Sequence, residues 1–162
     1  MDIEFFKSQF SDFLRPNRYR VFFRTFVDES ISAICKNVTF PFYTFNTLTG
    51  TINNKSNTVI NKIDYDPVSF TFYIDKEKRI LKFINKWKER IIDEYYRFGY
   101  KDDYKIDIDI EMLHLDDEVV ASCTLKEAFL INVDPIDLSY DSKDVLSEIT
   151  ISVNYDDIKY NI

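Results

Sequence analysis

Glycine is almost missing from this chain. Only Gly50 and Gly99 occur in 162 residues, so no glycine-rich phosphate loop, Walker motif or dinucleotide fingerprint can be built. Histidine is represented by His114 alone. It sits at the end of an alternating strand segment, and no Ser-His-Asp or Cys-His set can be argued from it. Cysteine is limited to Cys35 and Cys123. They lie far apart, lack the spacing of a redox or zinc motif, and read as buried thiols in a reducing compartment. No run approaches the roughly 18 apolar residues of a membrane span. The acidic start Met1-Asp2-Ile3-Glu4 lacks the basic region of a signal peptide. Positive charge is also in deficit, with a net charge of −7. Such a chain does not wrap nucleic acid by neutralising phosphates, but it can enclose DNA without gripping it.

Aromatics are what the chain has in abundance, with 15 Phe and 11 Tyr. At 162 residues one domain with a sizeable core is expected. One long helix is predicted from Asp75 to Gly99. Ile80, Phe83, Ile84, Trp87, Ile91, Tyr95 and Phe98 recur at spacings of three and four, which makes one apolar stripe. Asp75 is the expected N-cap and Gly99 the expected C′ residue. Lys76, Lys78, Lys82, Lys86 and Lys88 form the solvent side, a basic exterior surface.

The rest reads as strands. Residues 2–14 carry Ile3, Phe6, Phe10 and Phe13 at helical spacing, an arm that docks within the fold or on a neighbouring subunit. A strand is expected from Arg18 to Val27. Four arginines between positions 15 and 24 point to ion pairs more than to phosphate contact. Ile31 to Phe45 is apolar and β-rich, interrupted by Pro41. Residues 46–62 are polar and form an extended hairpin or long loop turning at Asn53-Asn54-Lys55. Long polar stretches without catalytic residue types suit contact with another chain. Thr49, Gly50, Asn53, Asn54 and Lys55 are the candidate inter-subunit residues.

Val68 to Ile74 alternates and feeds straight into the helix. In Tyr104 to Glu111, Ile106, Ile108 and Ile110 face one way and Asp107, Asp109 and Glu111 the other. Asp116-Asp117-Glu118 makes a turn, followed by runs from Val119 to Leu125 and from Ala128 to Val133. Asp134-Pro135 stops the second run, Asp141-Ser142-Lys143-Asp144 turns, and Ile149 to Tyr155 closes. Seven or eight strands and one helix give a mainly β protein, an antiparallel β-sandwich or barrel with one flanking α-helix over the outer side of a sheet.

The acid row Asp107-x-Asp109-x-Glu111 has period two, and Met112 stands where a calcium loop needs glycine, so it does not read as a metal site. It reads as a wet, negative strand face. Arranged around a closed ring, such faces would make a channel that repels phosphates. Asp107, Asp109 and Glu111 are therefore candidate lumen-facing residues.

Several stretches resemble the tail tube proteins of contractile-tailed phages and related injection systems. These are Phe13-Leu14-Arg15-Pro16-Asn17 before the first strand, and Cys35-Lys36 followed by Pro41. Phe83 to Trp87 on the helix is another. The C-terminal part adds Asn132-Val133-Asp134-Pro135, Leu138-Ser139-Tyr140-Asp141-Ser142 and Ile149 to Tyr155. The order holds over nearly the whole chain, while residues 95–105 depart from it. The resemblance implies a single tail-tube domain over residues 1–162 and a structural virion protein without catalysis or cofactor. Hexameric rings would stack into a tube in the phage tail, assembled in the host cytoplasm. Inner strands of six subunits would form one barrel whose lumen conducts DNA without specific binding. A sheath, baseplate and terminator proteins are the implied partners, and no membrane is involved. The 46–62 stretch, the N-terminal arm and the Ile158-Lys159-Tyr160 tail become contact candidates. The competing readings are a baseplate tube-initiator or tail-terminator adaptor of the same fold, or an unrelated β-domain binding module with an exposed aromatic platform.

Overall fold

A computed structural model describes residues 3–4, 7, 13–24, 30–141, 143 and 145–162. The elements in chain order are β1 (Tyr19–Phe23), α1 (Ser30–Ala33), β2 (Cys35–Val38), β3 (Tyr43–Ile52), β4 (Lys55–Tyr65) and β5 (Val68–Tyr73). They continue with α2 (Arg79–Ile91), α3 (Lys101–Tyr104), β6 (Ile106–Leu113), β7 (Val119–Val133), β8 (Glu148–Asn154) and β9 (Asp157–Asn161). The protein is mainly β and antiparallel, as the alternation in the sequence requires. Phe6, Phe10, Phe26, Val27, Ser142 and Asp144, used above for the arm, the first strand and a turn, lie outside the described residues.

Seven strands join in the order β1-β6-β7-β8-β5-β2, with β9 also paired to β7. The hub is β7. The sequence suggests two runs here, but the structure makes one strand of 15 residues that bends between them. At the bend Glu127 holds a left-handed φ of 53°. Before it, β7 pairs with β6 on one side and β9 on the other. After it, β7 pairs with β8. The β8 and β9 strands follow each other in sequence, so they accompany β7 round the corner as its antiparallel partner. The Asp156 amide bonds to the Lys126 carbonyl at 3.0 Å at that corner. The 158–160 tail is thus a strand of its own sheet. Ile158 is buried, and the Tyr160 hydroxyl donates to the Pro41 carbonyl at 2.8 Å.

Side chains from both halves of the sheet meet in one core. Val21, Ile108, Ile110 and Leu125 come from one half; Phe70, Phe72, Ile151 and Val153 come from the other. Each such side chain, fully buried, stabilises the fold by about 1.5–3 kcal/mol. Phe23 on β1 stands 5.5 Å from Phe70 and 5.1 Å from Phe83 of α2, and Phe83 stands 5.4 Å from Trp87. The flanking helix therefore contributes its buried face, Ile80, Phe83 and Trp87, to the same core as the strands. Trp87 is fully buried, and its indole N–H donates to the Tyr104 carbonyl at 2.8 Å.

Both predicted helix ends move inwards. The N-cap is Lys78, with φ 60°. Asp75 still supplies the acceptor, taking the Arg79 amide at 3.0 Å, so one orphan N–H of the first turn is satisfied from outside the helix. At the other end the helix stops at Ile91 although the apolar period continues. The Asp93 carboxylate accepts the amides of Tyr95 at 2.9 Å and Arg97 at 2.8 Å, a local competitor to the helical ladder. An antiparallel bridge between Ile92 and Phe98 closes the loop. Gly99 is not left-handed; it is needed for close approach, since a Cβ there would lie 2.5 Å from the Arg90 carbonyl oxygen. Tyr95 and Phe98 consequently point away from the core.

Two smaller departures follow the same logic. Ser30–Ala33 is a helical turn where a β-rich run was expected, and Lys101–Tyr104 is helical just before β6. The cysteines are free thiols; burial pushes both up to about 12, so they are neutral at pH 7.

Candidate assembly surfaces

The acid row lies on the outer face of the β1-β6-β7-β9 half. Register places it beside basic residues from distant strands. Arg20 pairs across the ladder with Glu111, and Phe22 with Asp109. The Arg20 guanidinium lies 3.0 Å from Glu111, and Arg24 Nε donates to Asp109 at 2.5 Å. Asp109 also accepts from the Thr124 hydroxyl at 2.5 Å. Asp107 takes Lys126 Nζ at 2.6 Å on one oxygen and the Glu127 amide at 3.2 Å on the other. The arginines thus form the expected ion pairs within the fold. The picture of a wet, negative face is corrected: Asp107, Asp109 and Glu111 are half-buried and belong to a mixed-sign lattice.

Asp107 has a further role, because the amide it holds belongs to the residue at the β7 bend. Burial raises its pKa, yet the bonds from Lys126 and the Glu127 amide outweigh this and hold it below the ordinary carboxylate value. A depressed folded pKa contributes stability that is present above the unfolded value near 4 and is lost as pH falls through the folded one. Asp107→Asn is therefore expected to lower the urea midpoint at pH 7 and to flatten its fall between about pH 5 and pH 2. An unchanged midpoint at pH 7 would show that the clamp does not hold the bend.

The second surface is the hairpin β3–β4. Its turn is Asn53-Asn54, with φ of 52° and 58°, the left-handed pair that a two-residue hairpin loop demands and that asparagine tolerates. Tyr43 faces Tyr65 at the base, and the ladder runs to Ile52 opposite Lys55. All ten residues of β3 and the first nine of β4 are exposed. Phe45 and Ile63 share one face near the base; Leu48 and Val59 share the other. An isolated two-stranded hairpin is marginal in water, and among the described residues nothing covers the apolar side chains on the two faces of this one. Thr49, Gly50, Asn53, Asn54 and Lys55 all fall on its distal part.

The third surface was not foreseen. Tyr95, Tyr96, Phe98 and Tyr100 are 70 to 84 % exposed on the loop after α2. The helical period had assigned Tyr95 and Phe98 to the core. The Asp93 position, able to accept from the amides beyond it, was the available signal.

Among the described residues no group of three or more His, Cys, Asp or Glu could hold a metal ion, and no helix is long and apolar enough to cross a membrane. The His114 ring lies 3.1 Å from Asp116, two residues along the same turn.

The family model of the phage tail tube protein matches residues 4–161. The chain belongs to the phage tail tube protein family. Membership takes in nearly every residue and displaces the unrelated binding module as a reading of the exposed aromatics. No curated protein matches the chain. Solved structures share the fold at low identity. A chain in the cryo-EM structure of the anti-feeding prophage cap, its tube-terminating cap, matches with a TM-score of 0.71 at 14% identity. The match covers 91% of this tail tube family chain and 90% of that one. The PVC sheath/tube terminator of an extracellular contractile injection system matches at 0.70 and 14%, covering 92% and 96%. The PVC sheath–tube complex matches at 0.69 and 14%, covering 95% and 96%.

Proposed function

We propose that the chain is a tail tube subunit, a structural virion protein in which six copies close into a ring and rings stack into a tube that conducts DNA during ejection. The observation that carries this reading is the β3–β4 hairpin: some twenty residues of exposed ladder with apolar side chains on both faces, in a member of the tail tube family. A neighbouring subunit supplies the missing packing, with Thr49, Gly50, Asn53, Asn54 and Lys55 at the contact. The face carrying Asp107, Asp109 and Glu111 lines the lumen. Its physics differs from simple repulsion. Arg20, Arg24 and Lys126 are held by carboxylates, so they are not offered to passing phosphates, and DNA slides without counterion-releasing contacts that would act as brakes. No catalytic step is assigned. The particle is a phage tail, with a sheath, baseplate and terminator as partners.

The second reading is a terminator or baseplate adaptor. The similar match to a tube-terminating cap and to a sheath–tube complex favours it as much as the bulk tube. Negative-stain imaging of the purified protein separates them. Tubes of uniform bore or stacked rings are expected for the subunit. Single rings, or monomers that polymerise only on a partner, would favour the adaptor. Monomers under every condition, including with tail partners, would overturn both.

A further inference from the structure

Two exposed surfaces of opposite charge are built on α2: one runs along the helix and into the loop after it, and the other lies beside the chain that leads into it. The first is the solvent face of the helix with the aromatic loop that follows it. Between Lys78 and Arg90 there are six basic residues and one acid, in a chain of net charge −7. Among the described residues no ion pair involves Lys78, Lys82, Lys86 or Lys88. The aromatic loop beyond is prebuilt: Asp93 ties down two amides and the Arg97 side chain, and Tyr96 is held at φ 59°. A non-glycine residue in that conformation is strained. Aromatics held rigidly outwards, at little further entropy cost on contact, are the usual anchors of an interface.

The second surface is the 14-residue connection between β7 and β8, residues 134–147. It carries four aspartates and one lysine. Leu138, Tyr140, Val145 and Leu146 are 68 to 101 % exposed on it. Loops of this length inside a compact domain are uncommon and usually functional. Its ends are fixed, with the Asp134 amide on the Thr150 carbonyl at 2.9 Å and the Ile74 amide on the Ser147 carbonyl at 2.9 Å. The second bond puts this acidic surface beside the chain leading into α2. The aromatic loop lies beyond the opposite end, one helix of about 20 Å away.

We infer that the basic, aromatic face of α2 and its loop receives the acidic, aliphatic 134–147 loop of a second copy of this chain. Within one copy the two surfaces are not joined: among the described residues no ion pair links Lys78, Lys82, Lys86 or Lys88 to the 134–147 loop. Two different surfaces meeting between identical copies make a heterologous contact, which repeats from copy to copy and yields rings or filaments. Opposite charge at the rims selects the pairing and suppresses like-on-like contact. The inference rests on the tube-subunit reading and names a contact for it that is separate from the hairpin.

Charge reversal tests it. Self-association of the full chain is measured by sedimentation velocity at low salt for four proteins: wild type, Lys82→Glu/Lys86→Glu, Asp137→Lys/Asp141→Lys, and the fourfold variant. All four exchanged positions are exposed, and circular dichroism checks that each variant folds. Each double variant is expected to weaken association about tenfold or more, with the loss shrinking as salt is added. The fourfold variant, whose reversed surfaces complement each other again, is expected to recover most of it. Double variants that associate like wild type would overturn the contact. So would a fourfold variant no better than either double, or a helix face that binds only another tail protein. If wild type and both double variants form the same tubes, the contact falls while the tube-subunit reading stands. If wild type never self-associates, both fall.

Discussion

Replacing Trp87 by alanine is expected to destabilise the fold by about 3–5 kcal/mol. The side chain is fully buried where Phe83, the α2 turn and the α3 backbone converge. Removing it leaves a cavity and strips the Tyr104 carbonyl of an indole donor, and both terms act in the same direction. For a domain of this size the thermal midpoint should fall by on the order of 10 °C. Trp87 is the only tryptophan, so the melt is followed by circular dichroism and not by intrinsic tryptophan emission. Trp87→Phe keeps most of the volume and loses only the donor, and should cost less than half as much. Equal losses for the two variants would place the stabilisation in the hydrogen bond and not in packing.

Shortening the hairpin is expected to do the reverse: little to folding and a great deal to assembly. Removing residues 47–61 and joining Asn46 to Lys62 through Asn-Gly deletes side chains that are all exposed. Stability of the monomer should shift by less than about 1 kcal/mol, as for surface changes elsewhere. Tube or ring formation should be lost, because in the proposed assembly the deleted ladder is what the neighbouring subunit packs against. Tubes of normal bore from the shortened chain would remove the hairpin from the assembly contacts. A collapse of the thermal midpoint would mean that the arm supports its own subunit.

The two experiments probe parts of the chain that differ in how well they can be read from sequence. β5, β6 and β8 are legible because a period of two depends only on neighbours along the chain. The turn at Asn53-Asn54 is legible because few residues accept two left-handed positions in a row. The end of α2 is not. Tyr95 and Phe98 continue the helical period, and what overrides it is a single carboxylate, Asp93, accepting amides two and four residues ahead. The sign of the acid face is not legible either. Glu111 and Asp109 meet Arg20 and Arg24 across 91 and 85 residues of sequence, so their neutralisation is a property of register. The family resemblance carried by Arg15-Pro16-Asn17 and the C-terminal segments reached the fold correctly. It departed at 95–105, where the structure puts the aromatic loop.

Because β7 bends through both halves of the sheet and β8–β9 turns the corner with it, the two halves are joined by one continuous strand and its continuous partner. A force that peels one half must load the same continuous backbone that holds the other. Such a subunit should yield all at once or not at all, with no partly opened form of intermediate length. A hollow cylinder built from such parts would resist squeezing as a set of stiff staves, and its bore would keep one diameter until it broke.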